Sequence, residues 1–261
     1  MASLSRKGGD FLIKKNVDSL PRLHYLFLVM KLLTKSNTKI RKGEKLGFQT
    51  FGVHLAPSTK SGFNTCQHSS IGCEAVCLDT SGHGIFANVQ AARIAKTKLF
   101  FQNKPLFMAQ LFKEIASAIK SAAKKNLTPC FRLNLTSDLP WEKIHFDGKT
   151  VFDLFPRVDF YDYTKSAARM SMFLAGELPS NYHLTFSRSE SNEKLVDAVL
   201  ASGGNVAVVF RGSLPNTWKG KRVISGDESD LRFLDPQNVI VGLVEKGKAK
   251  KDASGFVVEP A

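Results

Sequence analysis

The sequence predicts an α/β protein with a mainly parallel sheet, curled into a partial or complete (β/α) barrel. Three observations carry that expectation. Short apolar, β-rich runs alternate with segments of helical periodicity from residue 46 to residue 248. Most of the runs end in a polar cluster, the pattern of strands whose C-terminal ends meet a ligand. The composition, 43% hydrophobic and 23% charged with twenty Phe, suits a chain that buries one large core.

Residues 1–44 read as a basic leader with one helix at LHYLFLVMKLL (23–33). LGFQTFGVHLAP (46–57) alternates and is the first strand. IFANVQAARIAKTKLFF (85–101) and PLFMAQLFKEIASAIKSAAKK (105–125) have helical periodicity, the second with Pro at its start and a Lys-rich end. FRLNLTSD (131–138), VDFYDYTKS (158–166), NYHLTFSRSE (181–190) and NVAVVFRG (205–212) are the second to fifth strands. WEKIHFDGKTVFDLF (141–155), AARMSMFLA (167–175) and SNEKLVDAVLASGG (191–204) are the helices between them. RVISGDESDLRFLDP (222–236) and NVIVGLVEKGK (238–248) suggest two more strands, with SGDESD as an exposed acidic turn. Residues 45–248 thus form one barrel-like domain that carries a cysteine loop at 62–84, and 249–261 form a C-terminal tail.

The net charge is +14, and residues 1–50 hold eleven Lys and Arg against three Asp and Glu. Such a balance favours an anionic partner, nucleic acid first. No secretory signal is visible, and the apolar run at 23–33 is too short to span a bilayer. These features predict a cytoplasmic protein without a membrane partner, in which thiols stay reduced.

Three of the four cysteines, Cys66, Cys73 and Cys77, crowd into NTCQHSSIGCEAVCLDTSGHG (64–84). Reduced thiols at that density point to metal or redox chemistry. Two assignments stay open: a zinc knot with a fourth ligand from His68 or His83, and a four-iron cluster that leaves one iron open. The bland alternative is three small buried hydrophobes. The polar strand ends supply further candidates: Ser137 and Asp138, Thr164 and Lys165, Arg188 and Glu190, and Arg211. Each has a competing role as a cap or turn residue. No GxSxG, GxxxxGK[ST] or HExxH motif is present.

The runs NTCQHSSIGCEAVCLDTSG, RLNLTSDLPWE, FYDYTKS, NYHLTFSRSE and GDESDLRFLDP resemble an uncharacterised family of bacteriophage proteins over residues 46–258. More distantly, a three-cysteine loop directly after the first strand of a parallel barrel is similar to radical S-adenosylmethionine enzymes. That resemblance implies an iron–sulfur cluster on Cys66, Cys73 and Cys77, with S-adenosylmethionine on the open iron and a small-molecule substrate beside it. The spacing differs from that family's, with six and then three intervening residues, and LTSD stands where its glycine-glycine-glutamate follows the second strand. Ser137 and Asp138 would then serve the amino group. Lys165, Arg188 and Arg211 would face carboxylate or phosphate, and Asp138 and Glu190 amino or hydroxyl groups. The alternatives are a zinc-stabilised basic protein that binds nucleic acid in phage replication, and a phage inhibitor of a host factor, each acting in the host cytoplasm.

Overall fold

A computed structural model describes residues 30–35 and 41–260 of the chain. Its sheet contains β1 (Leu33–Thr34), β2 (Phe48–Val53), β3 (Thr128–Arg132), β4 (Asp159–Thr164), β5 (Tyr182–Ser187), β6 (Val206–Phe210), β7 (Thr217–Trp218), β8 (Lys221–Ser225) and β9 (Ile240–Val244). The spatial order is β1-β2-β3-β4-β5-β6-β9-β8-β7. From β2 through β6, then β9 and β8, neighbouring strands run parallel. Among the described strands, the outermost two, β1 and β7, pair antiparallel. The strand order follows the chain order through β6, as successive crossovers of one hand produce. No pairing among the described residues joins β1 to β7, so the sheet is open, with the strand order of a partial barrel.

Among the described residues six α-helices accompany it: α1 (Ile71–Ala75), α2 (Ala87–Gln102), α3 (Lys104–Ala123), α4 (Val151–Leu154), α5 (Ala167–Leu174) and α6 (Glu193–Ala201). α3 starts where the Asn103 side chain accepts the Leu106 N–H, with Pro105 in its first turn. It buries Leu111, Ile115, Ala118 and Ala122, one stripe at three- and four-residue spacing. The stripe packs on the sheet face made by alternate strand residues. Phe51, Phe131 and Phe160 are register partners there, stacked 5.5 Å apart at each step.

The opposite face is more polar. Phe48 and Thr50 of β2, Cys130 and Arg132 of β3, Tyr161 and Tyr163 of β4, and His183 of β5 share it by strand alternation. Residues after β8 cross the N-terminal half of this face. Phe233 sits among the rings of Phe48, Tyr161 and His183 at 5.4–5.7 Å, and Leu231 is buried beside Cys130 and Tyr161. This floor leaves only the C-terminal half of the face for a site.

Several expected elements differ in the structure. The strand expected at 131–138 is shifted to Thr128–Arg132 because the Asn134 side chain folds the next segment into a knot. Its carbonyl accepts from Ser137 Oγ, Leu139 N–H and Trp141 Nε1, and its amide donates to Leu139 O. The helix expected at 141–155 shrinks to a 3-10 turn at Trp141–Lys143 and to α4. Between them Asp147 (φ 50°) and Gly148 (φ 75°) form a tight turn under the Phe146–Lys149 bridge, which no α-helix can cross. The expected strand at 222–236 ends at Ser225, where the chain turns onto the floor. The helix expected at 23–33 lies outside the described residues except at its end, and Leu33 there belongs to β1.

Candidate functional site

The cysteine loop leaves β2 and is pinned over the C-terminal ends of the strands. Thr65 donates its hydroxyl to Ala56 O at 2.7 Å, while its carbonyl accepts Asp138 N–H at 2.8 Å. Cys66 Sγ lies 3.9 Å from Thr136 O, beside the chain leaving β3. Ser70 caps α1 by accepting Cys73 N–H at 3.1 Å. Glu190, beyond β5, holds that cap, accepting from Ser70 Oγ at 2.8 Å and Gly72 N–H at 2.7 Å. Gly72 allows this approach, because a Cβ there would crowd Ser254 Oγ and meet Glu190 Oε2 at 2.7 Å, so that both side chains would have to shift. At the far end of the loop, buried Asp79 pairs with Lys60 and Arg93. Burial alone would raise its pKa, and those partners with Gln90 hold it below the ordinary value instead.

The three thiols lie close enough to feel one another. Burial pushes Cys66 up, with Asp138 and Cys73 adding to the rise. Burial first, then the charges of Cys73, Asp79 and Cys66, push Cys77 up to about 11. Both thiols are therefore protonated at neutral pH unless a cation offsets their charge. Among the described residues no group of three His, Cys, Asp or Glu side chains is gathered to hold a single metal ion. His68 and His83 are exposed. Cys130 is apart from the loop, fully buried on β3 with Sγ 3.2 Å from Thr50 Oγ1, and burial pushes its thiol up to about 12.

The polar strand ends divide sharply. Ser137 donates to Asn134 Oδ1 at 2.8 Å within the knot. Asp138 accepts Lys165 N–H at 2.8 Å and pairs with Arg169. Thr164 is buried and accepts Ser166 N–H at 3.1 Å. Arg188 reaches Phe256 O at 2.9 Å and Glu193 Oε2 at 3.1 Å, and Arg211 reaches Asp252 O at 2.7 Å and Lys250 O at 3.1 Å. Glu190 thus braces the cysteine loop, Arg188 and Arg211 hold the C-terminal segment, and Ser137, Asp138 and Thr164 are spent on neighbouring strand ends. Lys165 differs. Its ammonium donates to Ser187 Oγ at 2.8 Å and lies 5.6 Å over the Phe256 ring, with no acidic partner among the described residues. Phe256 belongs to the small apolar cluster against which Cys73 packs.

The Gene product 88 family model matches residues 31–260, nearly the whole described chain. The chain belongs to the Gene product 88 family. That match fits the bacteriophage family that the sequence resembles. No curated protein and no solved structure matches the chain. Among the described residues no helix of this Gene product 88 member is long and apolar enough to cross a membrane.

Other residues of the site carried little sequence signal. In this Gene product 88 chain, Arg169 of α5 is buried and bonds Asp138, Glu142, Thr164 and Tyr182 at once. Arg132 lies 4.6 Å over the Tyr163 ring and pairs with Asp230 at 3.1 Å. The SGDESD turn is therefore not an exposed acidic loop, since Asp230 is 1% exposed. His54, at the end of β2, places Nδ1 3.3 Å from Thr136 Oγ1. Thr136 spends its proton on Leu55 O at 2.6 Å, so Nδ1 carries the imidazole hydrogen. Burial, then Arg93, Lys96 and Arg132, depress His54 to about 3, so the ring is neutral at pH 7. The alternating polar positions of DFYDYT were the available signal for a polar inner face, but pairing with Asp230 depends on a segment far along the chain.

Proposed function

We propose that this protein is an iron–sulfur enzyme of the radical S-adenosylmethionine type, acting on a small or polymeric substrate at the C-terminal mouth of its open parallel sheet. The observation that carries the reading is one loop bringing Cys66, Cys73 and Cys77 together over that mouth. Thiolate donors suit iron–sulfur chemistry. In a four-iron cluster each cysteine takes its own iron, so the thiols need not converge on one point as the ligands of a zinc ion must. The exposure of His68 and His83 supports the cluster over a zinc knot, which would need one of them as its fourth ligand.

Cys66, Cys73 and Cys77 would hold the cluster, losing their protons on assembly. When bound, it supplies an open iron and an electron for S-adenosylmethionine chemistry. The chain's own contribution is positional. Lys165 offers a cation to a carboxylate or phosphate at the mouth. Glu190 and Asp138 hold the loop through Gly72 N–H and Thr65 O, and neutral His54 presents an unprotonated Nε2 beside the loop's origin.

The test is iron and sulfide content with a visible spectrum after oxygen-free purification and reconstitution. The expected result is near four irons per chain, with a broad absorbance near ~400 nm, lost in Cys66→Ala, Cys73→Ala and Cys77→Ala but retained in Cys130→Ala. One zinc per chain without colour would overturn the reading.

A further inference from the structure

The tail beside the mouth also carries a lysine turn whose ammonium groups have no acidic partner among the described residues. A 3-10 turn, Gly247–Lys251, follows β9 and packs on the cysteine loop, with Gly247 against Ser81. Ala249 is its buried anchor, set against Val76 between Cys73 and Cys77. Arg211 braces the turn from beneath by donating to Lys250 O and Asp252 O. On this rigid base Lys248, Lys250 and Lys251 are exposed, and none makes an ion pair among the described residues. Their neighbour Lys246, by contrast, pairs with Asp227.

The cysteine segment, whose Ser81 packs against Gly247 of this turn, also exposes several apolar side chains. Leu78 is 56% exposed, Ile85 61% and Phe86 52%. Leu78 starts the 3-10 turn Leu78–Thr80, and Ile85 ends the next one, Gly82–Ile85. A row of unpaired ammonium groups next to exposed apolar and aromatic side chains has two complementary needs, a repeating anion and flat apolar faces. A single-stranded nucleic acid meets both, with phosphates on the lysines and bases on Phe86 and its neighbours. The sign agrees with the chain's net charge of +14.

We infer that Lys248, Lys250 and Lys251, with Leu78, Ile85 and Phe86, form a track for single-stranded nucleic acid along the rim of the cysteine loop. The substrate class at the mouth is then a nucleic acid strand. This inference rests on the mouth being the reactive site, and it names what enters it.

The experiment measures anisotropy of a labelled 20-nucleotide single-stranded DNA and RNA across a salt series, with iron content determined on the same samples. The full chain should bind at low salt. Lys248→Gln, Lys250→Gln and Lys251→Gln together should weaken binding about tenfold at 0.1 M salt and lower the slope of log affinity against log salt by about 2. Phe86→Ala should weaken it about tenfold with the slope unchanged. In both variants the iron should be retained. Absent binding by the full chain at low salt, or unchanged affinity and slope in the triple variant, would overturn the track while leaving the cluster standing. Binding to phosphatidylglycerol vesicles in place of the oligonucleotide would also overturn it. Loss of iron in Cys73→Ala with binding intact supports the track as a separate surface, and colourless zinc protein that still binds would remove the cluster while keeping the track.

Discussion

The mouth of the sheet holds two kinds of charged side chain. On one side, Asp138, Glu142 and Arg169 meet in a buried knot, and Glu190, Arg188 and Arg211 brace the cysteine loop and the tail. On the other, Lys165 at the mouth and Lys248, Lys250 and Lys251 on the rim have no acidic partner among the described residues. The two groups look alike in the sequence, as polar residues at strand ends or in turns. The difference teaches that a strand-end charge is as often the scaffold of a site as part of it. Here the scaffold charges are those paired with an opposite charge or a buried carbonyl, and under the proposed reading the lysines without an acidic partner are the ones that meet a ligand.

That division predicts unequal consequences for mutation. Arg169→Met should be the most damaging, because it strands Asp138 and Glu142 without their cation. A loss of about 3–5 kcal/mol is expected in urea unfolding, large enough to abolish folding in many domains. Lys165→Met, by contrast, should leave unfolding almost unchanged while impairing turnover; equal destabilisation by the two variants would break the comparison.

His54 gives the next largest effect, and it depends on pH. The folded ring stays neutral down to about pH 3, whereas the unfolded ring takes up a proton near its ordinary value of 6.5. The unfolded state therefore binds more protons in this window, and stability falls as pH drops from about 6.5 toward 3, by about 1.4 kcal/mol per unit from this group. Urea unfolding at pH 7 and pH 5 should show a smaller loss for His54→Gln than for the parent chain. An identical loss in both would assign the acid sensitivity elsewhere.

Gly72→Ala should cost about 1–3 kcal/mol, since the added Cβ pushes on Glu190 and Ser254. Its sharper signature is a loosened loop, with faster alkylation of Cys73 and poorer iron retention. At the small end, the triple Lys→Gln variant on the 247–251 turn should change stability by less than about 0.5 kcal/mol, as expected for exposed unpaired charges.

The sequence made the sheet legible wherever local pattern decides the outcome. Strands β4, β5 and β6 fall within the runs that alternation marks, because each buries one face on the helices and cannot slip register without exposing it. It failed where a single side chain overrides the pattern: Asn134 ends β3 early, and the Asp147–Gly148 turn breaks a helix-like stretch. The cysteine loop was legible as a candidate, because its three thiols cluster within one short segment of the sequence. The site's polar residues were legible only as candidates, because whether Asp138 faces a ligand or Arg169 is settled by α5, a separate element. The lysine turn carries no local signal of its place, since nothing in its own residues reveals that Ala249 anchors it in the cluster against which Cys73 packs.

The central claim is that three cysteines hold a cluster with one iron open. The most direct measurement is low-temperature electron paramagnetic resonance of the reduced, reconstituted protein with and without S-adenosylmethionine. The account predicts a reduced four-iron signal whose g-values shift on adding S-adenosylmethionine and which vanishes in Cys73→Ala. A signal indifferent to S-adenosylmethionine, or no paramagnetic iron at all, would contradict it.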